Sequence, residues 1–309
     1  MKVKEIIRNR LVLSFEVYPP KTDAGMKNMC GENGTLQHLY ALEPDYISCT
    51  YGAGGTNVGR NLEVMKKICR DGKTIPVTHF TCVGNTKEGI REQLQTYLNE
   101  GIDNVLALRG DLPRGWEGTR GELHHATELV KYIRQVFGDW FSIGVAGSPE
   151  GHIDCRSLKS DIAFLKQKQD NGADYIVTQI CWDMDRFRYW FDAIRRAGIT
   201  MPVSVGVLPI IDSAATINLA LSRNATVMPR KLCEIISRHW IFPNVFNPQE
   251  APEIVAEKKA AFREEGIEYT VRQIDELRAL GVNGIHLYTL NKYEAVTEVV
   301  KRSGIMDIV

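Results

Sequence analysis

The 309-residue chain has no surplus charge of either sign, with 38 Lys+Arg against 38 Asp+Glu. Such a balance argues against nonspecific nucleic-acid binding and against a polybasic membrane anchor, so neither kind of partner is expected. No apolar run approaches the ~18 residues of a membrane span. The N-terminus, MKVKEIIRNR, carries charge but lacks the apolar core of a signal peptide. Cysteine is sparse and odd in number: seven, at 30, 49, 69, 82, 155, 181 and 233, with no CxxC pair. A secreted disulfide framework and a zinc ribbon are therefore disfavoured, and a reducing cytosol fits. Three motifs are missing as well. There is no GxGxxG after the first apolar run, no GxxxxGK[ST] and no GxSxG. Their absence argues against a dinucleotide-binding sheet, a P-loop and a serine-hydrolase elbow.

What is present is ordinary globular material, 44% hydrophobic and 25% charged, enough to bury a core without disulfides or metal. Eight short apolar runs recur: 11–20, 45–55, 75–82, 104–111, 141–149, 174–181, 202–209 and 284–291. Each is rich in Val, Ile, Leu or aromatics, the composition of strands buried on two faces. Helical spacing fills most of the gaps, over 59–70, 87–100, 126–137, 157–171, 185–197 and 269–280. Several of these segments end in glycine just before the next strand, as at Gly172, Gly198 and Gly281. Eight alternating strands and helices predict a (βα)8 TIM barrel over residues 1–309. The stretch between Pro209 and Gly284, with helical segments at 214–222 and 229–238, reads as extra helices inserted between strands 7 and 8.

A barrel of this kind carries its chemistry at the C-terminal ends of its strands. Glu16 sits in SFEVYPP, where an apolar setting favours the neutral form of a carboxyl and suits a general acid. A structural ion pair is the alternative. Asp111 follows Arg109-Gly110, and the glycine permits close backbone approach to a ligand, although an Asp opening a turn would look the same. Gln179 offers a donor and an acceptor suited to the edge of a planar heterocycle, or to strand backbone. His79 and His152 have no ligand partner at metal spacing, His125 and Glu128 read as a helix-surface pair, and no metal site is expected.

The strand ends taken together, SFEVYPPK, TYGAGG, HFTC, ALRGDLP, SPEGH, VTQICWD, GVLPI and HLYTLN, resemble methylenetetrahydrofolate reductases in order and spacing from about residue 11 to about residue 300. The resemblance implies an FAD-containing barrel that reduces 5,10-methylenetetrahydrofolate to 5-methyltetrahydrofolate. It implies a ping-pong course, with NAD(P)H or another reductant as electron donor. Glu16 then matches the acid that protonates N10, Asp111 the carboxylate between flavin and pterin, and Gln179 the amide that meets folate and nicotinamide. Thr50, Tyr51, Ala53, His79, Arg109, Gly110, Asp111, Ala126, Ser148, His152, Asp161 and Lys168 fall on positions that resemble FAD contacts. Leu219, Tyr288 and Lys292, with Gln179, fall on the substrate side.

The pattern departs from the family at three places. Lys292 stands where arginine is common, Ala215 where some members have glutamine, and Ser148 where some have tyrosine. Relatives imply a homo-oligomer, the cysteine usage a cytoplasmic location, and a chain ending at 309 carries no expectation of the eukaryotic regulatory domain. Two other readings remain open at this point. One is a flavin-binding electron-relay subunit that needs a redox partner. The other is a flavin-free aldolase-type barrel, which would require a Schiff-base lysine at a strand end.

Overall fold

The computed structural model describes residues 1–51, 58–112, 115–222, 226–240 and 251–308. Eight parallel strands close into a barrel in sequence order: β1 (Val12–Val17), β2 (Tyr46–Cys49), β3 (Ile75–Thr81), β4 (Asn104–Leu108), β5 (Ser142–Gly147), β6 (Tyr175–Thr178), β7 (Val203–Val207) and β8 (Gly284–Tyr288). The predicted (βα)8 barrel is the observed fold, and each strand lies inside one of the eight apolar runs. Helices alternate with the strands. They are α1 (Val3–Ile6), α2 (Asp23–Cys30), α3 (Thr35–Tyr40), α4 (Val58–Asp71), α5 (Lys87–Asn99), α6 (Ala126–Phe137), α7 (Leu158–Asp170), α8 (Met184–Arg196), α9 (Ser213–Ala220), α10 (Arg230–Arg238), α11 (Pro252–Ala279) and α12 (Tyr293–Ser303).

Alternation along the strands divides the core in two. Leu13, Phe15, Ile47, Phe80, Val105 and Ile143 face the helices in one large cluster. Val12, Tyr46, Ile75, Val77, Leu106, Tyr175 and Val177 form a separate cluster, and Val3 and Ile7 from the N-terminal turn join it. That turn is fixed by polar contacts, with Val3 N–H donating to Asn104 Oδ1 at 2.9 Å and Lys4 N–H to Ser142 Oγ at 3.1 Å. The strands' buried polar residues include Ser14, Glu16, Ser48, His79 and His286, so the barrel is not lined by aliphatics alone.

Five of the helices that follow strands begin with side-chain caps. Thr22, Thr86, Ser157, Asp183 and Asp212 each accept a backbone N–H from the first turn of α2, α5, α7, α8 and α9. These caps occupy orphan donors of the helix N-termini and fix the loops at the C-terminal rim. The segment between β7 and β8 contains α9 and α10 as expected, but its last helix runs over Pro252–Ala279 rather than beginning near 269. Gly266 lies within this longer helix. A Cβ there would come within 2.2 Å of the Ile210 carbonyl oxygen, so the glycine lets α11 lie directly on the chain leaving β7.

Candidate active site

Two adjoining cavities open at the C-terminal rim. The first, about 660 Å³, is walled by the ends of β2 to β5 and by α7. The second, about 770 Å³, extends from Glu16 toward α9 and α12. Tyr18, Thr50, His79, Asp111 and Gln179 line both. Both volumes lie in the range of cofactor and ligand sites, which is roughly 300–1,000 Å³.

Glu16 reaches the second cavity from β1, where it is paired in register with Ser48 and Tyr288. It is buried, and its Oε2 lies 3.4 Å from His79 Nε2 and 3.7 Å from His286 Nε2. His286 Nδ1 in turn lies 2.7 Å from Ser14 Oγ, and His79 Nε2 lies 3.3 Å from Ser48 Oγ. Desolvation holds the His79 imidazolium below its usual range, an effect that the Glu16 carboxylate opposes and His286 reinforces. Burial first, and Glu16 second, push the Tyr18 phenol upward. The result is a buried Glu16 side chain flanked by two histidines in a compartment that also carries Asp111, Gln179 and Lys292.

The wall opposite α7 depends on Gly110, whose φ is +90°. A Cβ at this position would lie 2.7 Å from Val83 Cγ1 and 3.0 Å from Thr81 Cβ. Arg109 is held by Asp154 at 2.9 Å and by its Nε donation to the Gly110 carbonyl at 3.1 Å. Lys168 reaches inward from α7 and donates to the Ala146 carbonyl at 2.9 Å. Desolvation lowers its pKa and raises that of Asp161, while each charge partly offsets the shift of the other.

The β8 rim closes onto β1 through a strained turn. Leu290 and Asn291 both have positive φ, +48° and +59°, which is uncommon for a branched side chain such as leucine. Asn291 exchanges two hydrogen bonds of 2.9 Å with the Tyr18 backbone, and Thr289 Oγ1 donates to the Glu16 carbonyl at 2.6 Å. The turn sets Lys292 at the edge of the second cavity. Gly206 leaves room for the Tyr288 ring, whose hydroxyl donates to the Thr178 carbonyl at 2.8 Å.

The candidates read from the sequence converge on this mouth. Thr50, Tyr51, His79, Arg109, Gly110, Asp111, Ala126, Ser148, His152, Lys168 and Gln179 line the first cavity. Glu16, Leu219, Tyr288 and Lys292, with Asp111, His79 and Gln179, line the second. Asp161 is not in either wall; it sits behind the first, 3.5 Å from Cys155 Sγ and coupled to Lys168. Ala53 lies outside the described residues. Sequence reasoning did not pick out Ser14 or His286. Their signal is a two-residue alternation, Ser14-x-Glu16 and His286-x-Tyr288, that sets polar groups along one face of each strand.

The sequence matches the family described as methylenetetrahydrofolate reductase over residues 2–304. The chain belongs to the methylenetetrahydrofolate reductase family. It is 32% identical to methylenetetrahydrofolate reductase 1 of Schizosaccharomyces pombe, over 97% of this chain and 47% of that protein. It is 31% identical to methylenetetrahydrofolate reductase (NADH) 1 of Arabidopsis thaliana, over 99% of this chain and 50% of the relative. The chain thus spans about half the length of these relatives. The 5,10-methylenetetrahydrofolate reductase of Pectobacterium carotovorum is 29% identical, with 93% of this chain and 88% of that protein aligned. Among solved structures, a Clostridium thermocellum protein described as binding two copies of 5-methyl-5,6,7,8-tetrahydrofolic acid aligns with a TM-score of 0.60 at 14% identity, covering 99% of each chain. At that identity the likeness is one of fold. No helix among the described residues is long and apolar enough to cross a membrane.

Proposed function

We propose that the protein is an FAD-dependent reductase that converts 5,10-methylenetetrahydrofolate to 5-methyltetrahydrofolate with electrons from a reduced nicotinamide. The observation that carries this reading is the division of the mouth. Asp111 and Gln179 belong to both compartments, whereas Glu16 lines the second and not the first.

The residues present fit a flavin nucleotide in the first compartment. Small side chains, Ala107, Ala126 and Ala146, leave room for a flat ring system. Arg109, His152 and Lys168 supply donors for phosphate and ribose oxygens. Thr81 lines the same wall with a buried hydroxyl that has no hydrogen-bond partner among the described residues, and such groups are costly unless a ligand or water satisfies them. Bound there, FAD would supply two-electron transfer between the nicotinamide and the folate.

The chain's own groups then prepare the folate. Methylenetetrahydrofolate accepts electrons only after its C–N10 bond opens, which needs a proton at N10. Glu16 supplies that proton from the base of the second compartment. Asp111, in the wall common to both compartments, stabilises the positive charge of the resulting 5-iminium group. Gln179 reads the amide edge of the pterin or of the nicotinamide, whichever is present. Because donor and folate share this wall, they bind in turn, which is a ping-pong course. Lys292 faces the glutamyl carboxylate as a single ammonium without the two-pronged guanidinium geometry.

Anaerobic stopped-flow absorbance tests the proposal. The purified protein should be yellow, NADH or NADPH should bleach it, and methylenetetrahydrofolate should restore the colour. A colourless protein sinks the reading. A yellow protein that neither nicotinamide bleaches supports a relay subunit that takes its electrons from a partner.

A further inference from the structure

We propose that Glu150 is a positioning residue that ties the α9–α10 excursion to the rim of the cofactor compartment and so sets the outer wall of the substrate compartment. This inference deepens the reductase reading and rests on it for its kinetic consequence.

Glu150 is half-buried in the loop after β5. Its direction is set by a tight turn over 148–151, with Pro149 at the second position and the Gly151 N–H donating to the Ser148 carbonyl at 2.9 Å. The side chain lines the first cavity. Both of its carboxylate oxygens meet the Val227 N–H, at 3.1 and 3.0 Å, across 77 residues of sequence. Val227 follows Thr226, which is buried and lines the second cavity together with Leu219 and Ser222.

One carboxylate therefore spans the two compartments. It belongs to the cofactor wall and holds the main chain of the substrate wall. The far side of the excursion is anchored differently, where Arg238 and His239 pair with Glu265 of α11. With both anchors in place, the stretch from Thr226 into α10 has one defined distance from the rim. Without Glu150, the α11 ion pairs and the packing of Leu232, Ile235 and Ile236 against Trp182, Ile210 and Phe262 still hold α10, whereas the main chain at Val227 loses this carboxylate partner. A hydrogen bond from a backbone N–H to a carboxylate is charge-assisted and among the stronger kinds. A neutral glutamine keeps an acceptor oxygen for the same N–H.

The test uses full-length protein and three variants: Glu150→Ala, Glu150→Gln and Val227→Pro, the last of which deletes the donor. Hydrogen exchange over 226–233 reads the tie directly, without turnover. Glu150→Ala is expected to speed exchange there about tenfold and to raise the folate KM about tenfold, with a smaller effect on kcat. Val227→Pro is expected to reproduce the KM change, and combining it with Glu150→Ala should add little more. Glu150→Gln is expected to recover most of the wild-type KM. The tie is overturned if exchange at 226–233 is as fast in wild type as in Glu150→Ala, if KM is unchanged in both disrupting variants, or if glutamine is as damaging as alanine. A wild-type protein without folate turnover counts against the reductase reading instead, and the exchange experiment still decides whether the tie exists.

Discussion

Glu16 Oε2 and His79 Nε2 approach to 3.4 Å at the base of the mouth, with both side chains almost fully enclosed. The imidazole is held toward its neutral form by desolvation, so the pair is not a simple ion pair. A neutral imidazole this close can hydrogen-bond to the Glu16 carboxyl group and so orient it.

The first prediction concerns that proton. Glu16→Gln preserves volume and hydrogen bonding but has no acid to give. FAD content and bleaching by the donor should stay near wild type, while folate reduction falls about 100- to 10,000-fold. Separate half-reactions in a stopped-flow instrument check this. Intact folate reduction in the variant would remove Glu16 from the acid role.

His79 makes a pH prediction. Its folded-state pKa is depressed below the ordinary 6.5, so between those values the unfolded chain binds more protons than the folded one. The stability contribution is complete above about 6.5 and is lost as pH falls toward the folded value. Urea midpoints between pH 8 and pH 5 should decline on the acid side, and His79→Gln should flatten that decline. An unchanged acid slope in the variant would contradict the assignment.

Gly110 is required twice, by its +90° φ and by the 2.7 Å approach to Val83. Gly110→Ala should cost about 1–3 kcal/mol from backbone strain alone. It should also displace the wall that carries Arg109 and Asp111. Thermal unfolding and the flavin-to-protein absorbance ratio measure the two effects, and a wild-type value for both would refute the argument.

Gly266 inverts the usual helix rule. In a helix interior alanine is normally better than glycine by about 1 kcal/mol. At this position the added Cβ would meet the Ile210 carbonyl oxygen at 2.2 Å. Gly266→Ala is therefore expected to destabilise by about 1–3 kcal/mol, as in other overpacked contacts. A denaturant midpoint at or above that of wild type would show that α11 can lift away without cost.

The eight strands were readable because each is a short run of branched and aromatic residues closed by a polar turn. The helices of the regular repeat were readable where their apolar spacing is strong. α11 was read short because its first half, from Pro252 to Arg263, is mostly charged and small, and Gly266 looks like an interruption. Its role appears only when Ile210 is seen beneath it. The short α2 and α3, and α1, offered too few turns to establish a period.

At the site, Glu16, Asp111 and Gln179 were legible as polar residues at the ends of apolar strands. Of the two histidines beside Glu16, His79 was legible and His286 was not. His286 and the Ser14 hydroxyl that meets it are 272 residues apart and become neighbours through the β1–β8 seam that closes the barrel. Glu150 was equally hidden, because its partner is a main-chain N–H in the connection between the inserted helices α9 and α10.

The N-terminal turn has a consequence for traffic. Val3 and Ile7 act as a stopper at the end of the barrel remote from Glu16, fixed there by Asn104 and Ser142. The vessel is one-ended on that side. A spent molecule leaving the base of the pocket must retreat along the way it came, and it delays the next arrival until it has cleared the doorway.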